Sequence, residues 1–361
     1  MSKAAELAAL IGSQTALSNR NLVINGAMQV AQRGTSATAA GSSGVYLIDR
    51  FKGFASGGGA YTMEQSTTVP NNTFKNSAKL VVTTADSSIA SSDYYSFNYN
   101  IEGQDIVPTG YGTSDAKSLS LSFQVRSSVT GTYSVTCYND NGTRGYINTF
   151  SISSADTWTE VNLTWPGDTG GTWNKDNTRG MTIRFDLGGG SSGHGTANQW
   201  TTSGTFAANR TSGSVDWIAN NGATFYITGV QLEVGEQATP FEHRTFGDEL
   251  LRCQRYFYSH VSGNEETIAN AAAYSSTQVF GTLHFPVSMR ITPSLAAANG
   301  TNYYRFYRNG SNTDFDEFGF NDRSKNSMTI YKAGLSGLTA GHSGWLVTNN
   351  ASASLTFDSE L

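Results

Sequence analysis

Apolar and polar residues alternate one by one through much of this chain. In residues 117–126, Leu119, Leu121, Phe123 and Val125 are separated by polar residues. Similar alternation occurs in residues 133–137, 161–165 and 181–187. A period of two places successive side chains on opposite faces of a strand. The pattern therefore predicts antiparallel sheets, each with one buried face and one wet face.

Turn-forming residues separate the predicted strands. Charged residues make up only 14% of the chain, and its 39 glycines with many Ser, Thr and Asn supply the polar surface, a composition typical of short strands joined by turns. Asp140, Asn141 and Gly142 predict a hairpin turn, because they tolerate positive φ. The inward set changes phase from Phe225 and Ile227 to Val230, Leu232 and Val234, which predicts a β-bulge at Gly229.

Two segments have helical patterns. In residues 3–11, Leu7, Leu10 and Ile11 share one face at i, i+3 and i+4. Nine residues do not hold a helix in water, so these side chains are candidates for docking, either on their own domain or on a partner subunit or larger particle. Thr245 and Asp248 have capping-box spacing before a second helix.

These patterns predict four regions. Residues 1–20 form an N-terminal helical anchor, 21–242 a β-sandwich, 243–258 a connector helix and 259–361 a smaller C-terminal β domain. Cys137 and Cys253 lie far apart and are predicted to be two buried thiols.

Charge and hydropathy argue against several partners. The net charge is -5 and no basic run occurs, whereas a nucleic-acid surface needs clustered Lys and Arg. No apolar stretch is long enough for a membrane span. No signal peptide is visible, so an extracellular role is expected to come through cell lysis or as part of a particle that is made in the cytoplasm.

No reactive centre is evident. The five histidines do not form an H-E-x-x-H motif, no G-x-S-x-G motif occurs, and no spacing indicates a metal site. A glycosidase needs two carboxylates across a cleft, and the scattered Asp residues select no such pair. The sequence predicts a protein that is not an enzyme and has no metal.

The tryptophans are the best candidates for ligand contact, because an indole face stacks on the C–H side of a sugar ring. Trp173, Trp200 and Trp217 lie in loop-like sequence between strands and are candidates for glycan binding. The alternative for each is a plug that seals the edge of the sandwich.

Five ordered motifs resemble a family of phage tail-fibre and virion structural proteins. Residues 21–34 (NLVINGAMQVAQRG) followed by 46–51 (YLIDRF) resemble the family's opening. The others are 166–173 (PGDTGGTW), 227–235 (ITGVQLEVG) and 238–244 (ATPFEHR) with 253–256 (CQRY). The resemblance covers residues 20–258.

The resemblance implies an all-β fold with a jelly-roll of the carbohydrate-binding-module type, in which the first and last strands pair. Some such modules hold a structural Ca²⁺ near those strands, but Met28 and Gln29 stand where a carboxylate often supplies a ligand, so no cofactor is expected. It further implies a virion protein, a tail fibre or spike.

As a fibre or spike, the protein is expected to form a homotrimer, to bind other virion proteins through its N-terminus and to bind host-surface polysaccharide. The alternatives are a head-decoration or collar protein with a purely structural role, and a glycan depolymerase.

Overall fold

The structure is a computed structural model that describes residues 19–42, 44–201 and 209–361. These residues form mainly β-strands, which confirms the predicted all-β class. The chain divides into two compact units, Met1–Glu249 with Leu361, and Leu250–Glu360. The predicted helix at residues 3–11, with Leu7, Leu10 and Ile11, lies outside the described residues. No helix within the described ranges is long and apolar enough to cross a membrane.

The larger unit is a jelly-roll β-sandwich of two antiparallel sheets. Its strands are β1 (Ser36–Ala39), β2 (Gly44–Tyr46), β3 (Phe51–Ala55), β4 (Ala60–Ser66), β5 (Ser77–Thr84), β6 (Tyr94–Glu102), β7 (Leu119–Ser127), β8 (Gly131–Asn139), β9 (Gly145–Ile152), β10 (Thr159–Trp165), β11 (Arg179–Gly189), β12 (Trp200–Thr201) and β13 (Thr224–Val234). Short 3-10 helices lie at Gly103–Thr109, Ser191–Gly193 and Trp217–Ala219.

Each sheet turns its apolar face towards the other. Sheet A has the order β1-β4-β5-β13-β7-β10, and sheet B has the order β12-β9-β8-β11-β6-β3-β2. Phe123 of sheet A meets Phe185 of sheet B with ring centroids 5.1 Å apart. The alternating residues of β7 and β11 are therefore the two halves of one core.

The predicted bulge and hairpin turn are both present. The pairing of β13 with β7 shifts register between Thr228 and Gln231, and Gly229 has φ of 65°. Val230 and Leu232 are buried as expected, but Val234 is 40% exposed, because it ends the strand at the margin of the sandwich. Gly142, with φ of 66°, lies in the turn between β8 and β9.

Two asparagines of the first motif are buried hydrogen-bond hubs. Asn21 Oδ1 accepts from the main-chain N–H groups of Val23 (2.9 Å) and Leu232 (3.0 Å). Asn25, with φ of 62°, donates through Nδ2 to the carbonyl oxygens of Val30 and Asp49, both at 2.9 Å. These side chains satisfy main-chain groups that would otherwise be buried without partners.

The last motif, which includes Arg244, contacts the first motif, residues 21–34. Arg244 donates to the carbonyl oxygens of Asn21 and Val23 and forms an ion pair of 3.4 Å with Glu249. Glu249 Oε1 accepts from the N–H of Asn25 at 2.7 Å. We call Asn21, Asn25, Arg244 and Glu249 the motif clasp. It joins the first motif to residues more than 200 positions further along the chain.

The predicted second helix is α1 (Phe246–Gln254). Thr245 Oγ1 accepts a hydrogen bond of 3.2 Å from the N–H of Asp248, which is the expected cap. The boundary between the units falls within α1. Cys137 in β8 and Cys253 in α1 are both buried.

The smaller unit also consists of antiparallel strands. They are β14 (Phe257–Ser262), β15 (Thr267–Ala273), β16 (Val279–His284), β17 (Ser294–Ala297), β18 (Tyr304–Arg308), β19 (Ser311–Phe315), β20 (Gly319–Asn321), β21 (Ser327–Lys332), β22 (Ser343–Thr348) and β23 (Ser354–Asp358). Sheet C has the order β14-β23-β17, and sheet D has the order β19-β18-β22-β15-β16-β21-β20. Phe306, Leu346 and Phe357 belong to its hydrophobic core.

Gly26 tests how tightly the first motif fits. A Cβ at Gly26 would lie 2.0 Å from the carbonyl oxygen of Val230, so Gly26→Ala must separate two hydrogen-bonded main chains. We expect a loss of about 1–3 kcal/mol in the free energy of unfolding, measured in urea. Gly58→Ala is the control, because its Cβ would meet nothing within 4 Å. Equal stability of the two variants would contradict the close approach.

Candidate functional site

The outer face of sheet B carries a polar groove. In β6, Tyr95, Phe97 and Tyr99 point into the core, and the alternate residues Tyr94 and Asn98 point outwards. The groove is lined by Lys52, Phe54, Tyr94, Asn98, Asn100, Tyr138, Arg179, Arg184 and Leu361. Its volume is about 160 Å³, which is space for several water molecules. We call this cavity the sheet B groove.

Aromatic rings and a guanidinium stack across four strands of the groove. Phe54 of β3 lies on Tyr94 of β6, with ring centroids 4.8 Å apart and planes at 8°. The Arg184 guanidinium of β11 lies 5.0 Å from the Tyr94 centroid and 4.9 Å from the Tyr138 centroid of β8. These contacts hold flat surfaces in fixed positions before any ligand arrives.

Hydrogen-bonding groups lie beside this stack. Asn98 pairs with Arg184 on one side and Lys52 on the other. Asn98 is 7% exposed, and its buried Oδ1 has no hydrogen-bond partner among the described residues. A buried acceptor without a partner costs free energy that a ligand hydroxyl can recover. Asn98 therefore places an amide with an unsatisfied oxygen in the wall of the groove.

The groove has a basic character. Among the described residues that line it, the charged side chains are Lys52, Arg179 and Arg184. Arg179 forms a 2.7 Å ion pair with Asp140. Asn100 Nδ2 donates at 2.9 Å to the main-chain oxygen of Leu361, which closes one end of the cavity. Burial raises the pKa of Tyr94, against the effect of Arg184, so its hydroxyl remains neutral.

The structure brings together two of the three predicted tryptophans. Trp173 and Trp200 have ring centroids 6.0 Å apart and both contact Tyr111. Trp173 is buried, and its Nε1 donates to Asp168 Oδ2 at 2.9 Å. Trp200 is partly exposed, with the Arg144 guanidinium 5.6 Å from the ring centroid. Trp200 keeps an accessible surface, whereas Trp173 seals the edge of the sandwich.

Trp217 lies apart from the other two candidates. It is fully buried between Tyr61 and Phe225, with centroid distances of 5.8 and 6.3 Å. A sugar ring cannot stack on an indole that has no exposed face. Trp217 is therefore a core residue, and the plug interpretation applies to it.

Asp186 and Asp216 both form ion pairs with Arg210. These carboxylates have a structural role. Asp186 is fully enclosed and lies 3.3 Å from Arg210 Nε. Arg210 also contacts Asp216. Burial raises the pKa of Asp186 to about 7, although Arg210 opposes the shift. A glycosidase acid must touch its substrate, and Asp186 has no surface with which to do so.

The segment where some carbohydrate-binding modules hold a structural Ca²⁺ makes protein contacts here. The Met28 side chain is buried, and the carbonyl oxygens of Met28 and Gln29 accept hydrogen bonds from Gln65 at 2.8 and 3.0 Å. Within the described ranges, no cluster of three or more His, Cys, Asp or Glu residues could hold a metal ion.

The groove residues were not selected from the sequence. Tyr94, Asn98 and Arg184 belong to strands whose polar positions look like an ordinary wet face. One signal was available: three outward positions of β6 carry an aromatic ring and two amides, at Tyr94, Asn98 and Asn100. The sequence does not reveal that Arg184 lies beside Asn98, because that pairing depends on strand register.

No family model and no curated protein matches the chain. Among solved structures, it is similar to a tailspike enzymatically active domain of bacteriophage CBA120, with 14% identity and a TM-score of 0.33. The match covers 60% of this chain and 22% of the tailspike chain, so it spans under a quarter of that protein.

Two carbohydrate-binding modules are also similar. A family 4 module matches at 13% identity and a TM-score of 0.30, covering 58% of this chain and 98% of the module. A family 11 module from a Clostridium thermocellum cellulase matches at 13% identity and a TM-score of 0.29, covering 57% and 100%.

Asp186 gives the larger unit a pH-dependent stability. Its folded-state pKa of about 7 exceeds the ordinary value of 3.8, so the folded state binds the proton more tightly. This stabilisation is complete below pH 3.8 and is lost as the pH rises towards 7. Relative to Asp186→Asn, we expect the wild-type free energy of unfolding to fall between pH 5 and 7 by up to about 1.4 kcal/mol per pH unit. Parallel urea-unfolding profiles for the two proteins would contradict this assignment.

Proposed function

We propose that the larger unit binds a polysaccharide in the sheet B groove. The observation that carries this proposal is the array Phe54–Tyr94–Arg184–Tyr138 beside the unpartnered Oδ1 of Asn98. The C–H face of a sugar ring is apolar and its edge is hydroxylated. The partly exposed rings of Phe54 and Tyr94 supply apolar surface for the first feature, and the Asn98 amide beside them supplies a hydrogen-bonding group for the second.

The binding energy at one groove is expected to be modest. The cavity has a volume of about 160 Å³, so a single site contacts little of a long polysaccharide chain. Several copies on one particle would raise the effective concentration and strengthen attachment without any new contact. A homotrimer meets this need and is part of the proposal.

The proposed setting is a bacteriophage virion. The protein would be a non-enzymatic tail fibre or spike that joins other virion proteins through its N-terminus and binds the host-surface polysaccharide. The five ordered motifs support this setting, and the motif clasp gives two of them a role in the fold. Immunogold labelling of particles tests it: label on tails is expected, while label on heads or collars would favour the architectural alternative.

Tyr94→Ala and Asn98→Ala test the groove. Each removes one ligand contact, and we expect roughly tenfold weaker retention of the multimerised protein on host cells, a change of about 1.4 kcal/mol. Tyr226→Ala is the matched control, because Arg126 lies 5.1 Å from its ring centroid on the other sheet. Thermal unfolding of each variant separates lost binding from lost folding.

Two results would contradict the proposal. Unchanged retention of both groove variants would remove the groove from binding. Release of reducing ends from host polysaccharide by the purified protein would show a depolymerase.

A further inference from the structure

The smaller unit has an aromatic surface unrelated to the sheet B groove. On the outer face of sheet D, Tyr307 and Trp345 stack with ring centroids 5.3 Å apart and planes at 27°. Phe280 and Tyr331 form a second stacked pair at 5.4 Å and 18°. Trp345 is 47% exposed, unlike the buried Trp173 and Trp217. Each pair lies on neighbouring strands and presents a rigid ridge.

The two ridges flank β15. Trp345 of β22 pairs with Asn270 of β15, and Phe280 of β16 pairs with Ala272 of β15. Strands are about 4.8 Å apart and rise about 3.3 Å per residue, so the ridges are separated by roughly 10 Å across the sheet and offset by roughly 7 Å along the strands. Ala272 and its small neighbours keep the floor between them low. We call the surface between the ridges the aromatic trough; it includes an open cavity of about 800 Å³ over β15 and β16, of which Phe280 forms one wall.

The floor of the trough is polar. Asn270, Thr282 and Ser343 are exposed, and their side chains have no hydrogen-bond partner in the part of the chain that the structure describes. Among the described lining residues, His284 is the one titratable side chain. The trough therefore offers amide and hydroxyl groups, and no Asp, Glu, Lys or Arg is among the described residues that line its cavity.

This arrangement distinguishes a sugar from a protein partner. Protein interfaces have an apolar centre, which becomes fully dry, and a polar rim. The trough has the reverse order, with hydrophilic groups in the centre and aromatic rings at the margins. A polysaccharide fits it, because ring faces can stack on the ridges while hydroxyl groups reach the floor. We propose that the aromatic trough is a second carbohydrate site, and that its ligand is a neutral polysaccharide.

The trough differs from the sheet B groove in ligand chemistry. The groove is confined and lined by Lys52, Arg179 and Arg184, whereas the trough is open and has no such side chain. Two sites of different character on one chain would allow attachment through two regions of a surface polysaccharide. Variants in one site should then leave binding at the other intact.

Affinity electrophoresis of the full chain tests the trough. The gels contain dextran, yeast mannan or galactomannan, and retardation by at least one is expected. Trp345→Ala and Phe280→Ala should each weaken that retardation roughly tenfold. Phe320→Ala is the control, because Phe320 is an exposed aromatic that pairs with the core residue Ile330. Tyr94→Ala in the groove should leave retardation through the trough in place.

A second experiment measures the solvent accessibility of the Trp345 indole. The retaining polysaccharide should slow oxidation of Trp345 by N-bromosuccinimide, followed by mass spectrometry of its peptide. The proposal is overturned if none of the three polysaccharides retards the wild-type chain, or if Trp345→Ala and Phe320→Ala behave alike. It is also overturned if Trp345→Ala dissociates an oligomer in sedimentation without changing retardation, since the face would then join copies of the chain.

Discussion

The larger unit depends on a small set of buried polar contacts that join residues more than 200 positions apart. Asn21 bonds the main chain of β13, and Glu249 bonds the N–H of Asn25. Arg244 adds donors to the carbonyl groups of the same segment. Each buried group is costly without its partner, so the clasp specifies one arrangement of the segment before β1. Because Asn21 also bonds β13, the clasp connects sheet A to the first motif and to the segment that contains Arg244 and Glu249.

Local sequence was sufficient to predict the strands and several of their irregularities. Period-two alternation identified β7, β8 and β11, and Gly229 identified the bulge in β13. The hydrophobic pattern tells which face of a strand is buried, but it does not tell which loops cover the rim of the sandwich. For this reason Trp173 and Trp217 could not be distinguished from accessible tryptophans. Trp217 lies in a 3-10 helix whose packing against Tyr61 depends on distant residues.

The candidate sites were harder to predict, because both are made by register. The groove aligns Lys52, Asn98 and Arg184 in one cross-strand row, although they are far apart in sequence. The trough combines two such rows, two residues apart: one contains the rings from β18 and β22, and the other the rings from β16 and β21. Single strands in each case look like ordinary wet faces with an occasional aromatic residue. Only their pairing produces rigid stacked surfaces beside hydrogen-bonding groups.

The place of β13 in sheet A has a consequence for synthesis. It is the last strand of the sandwich in sequence, yet it lies between β5 and β7. Until β13 emerges from the ribosome, the hairpin of β4 and β5 and the pair β7 and β10 each keep an unpaired edge. Open edges template pairing with other chains. Nascent copies on one polysome are thus most prone to aggregate before residue 224 appears, and slower initiation of translation should raise the soluble yield.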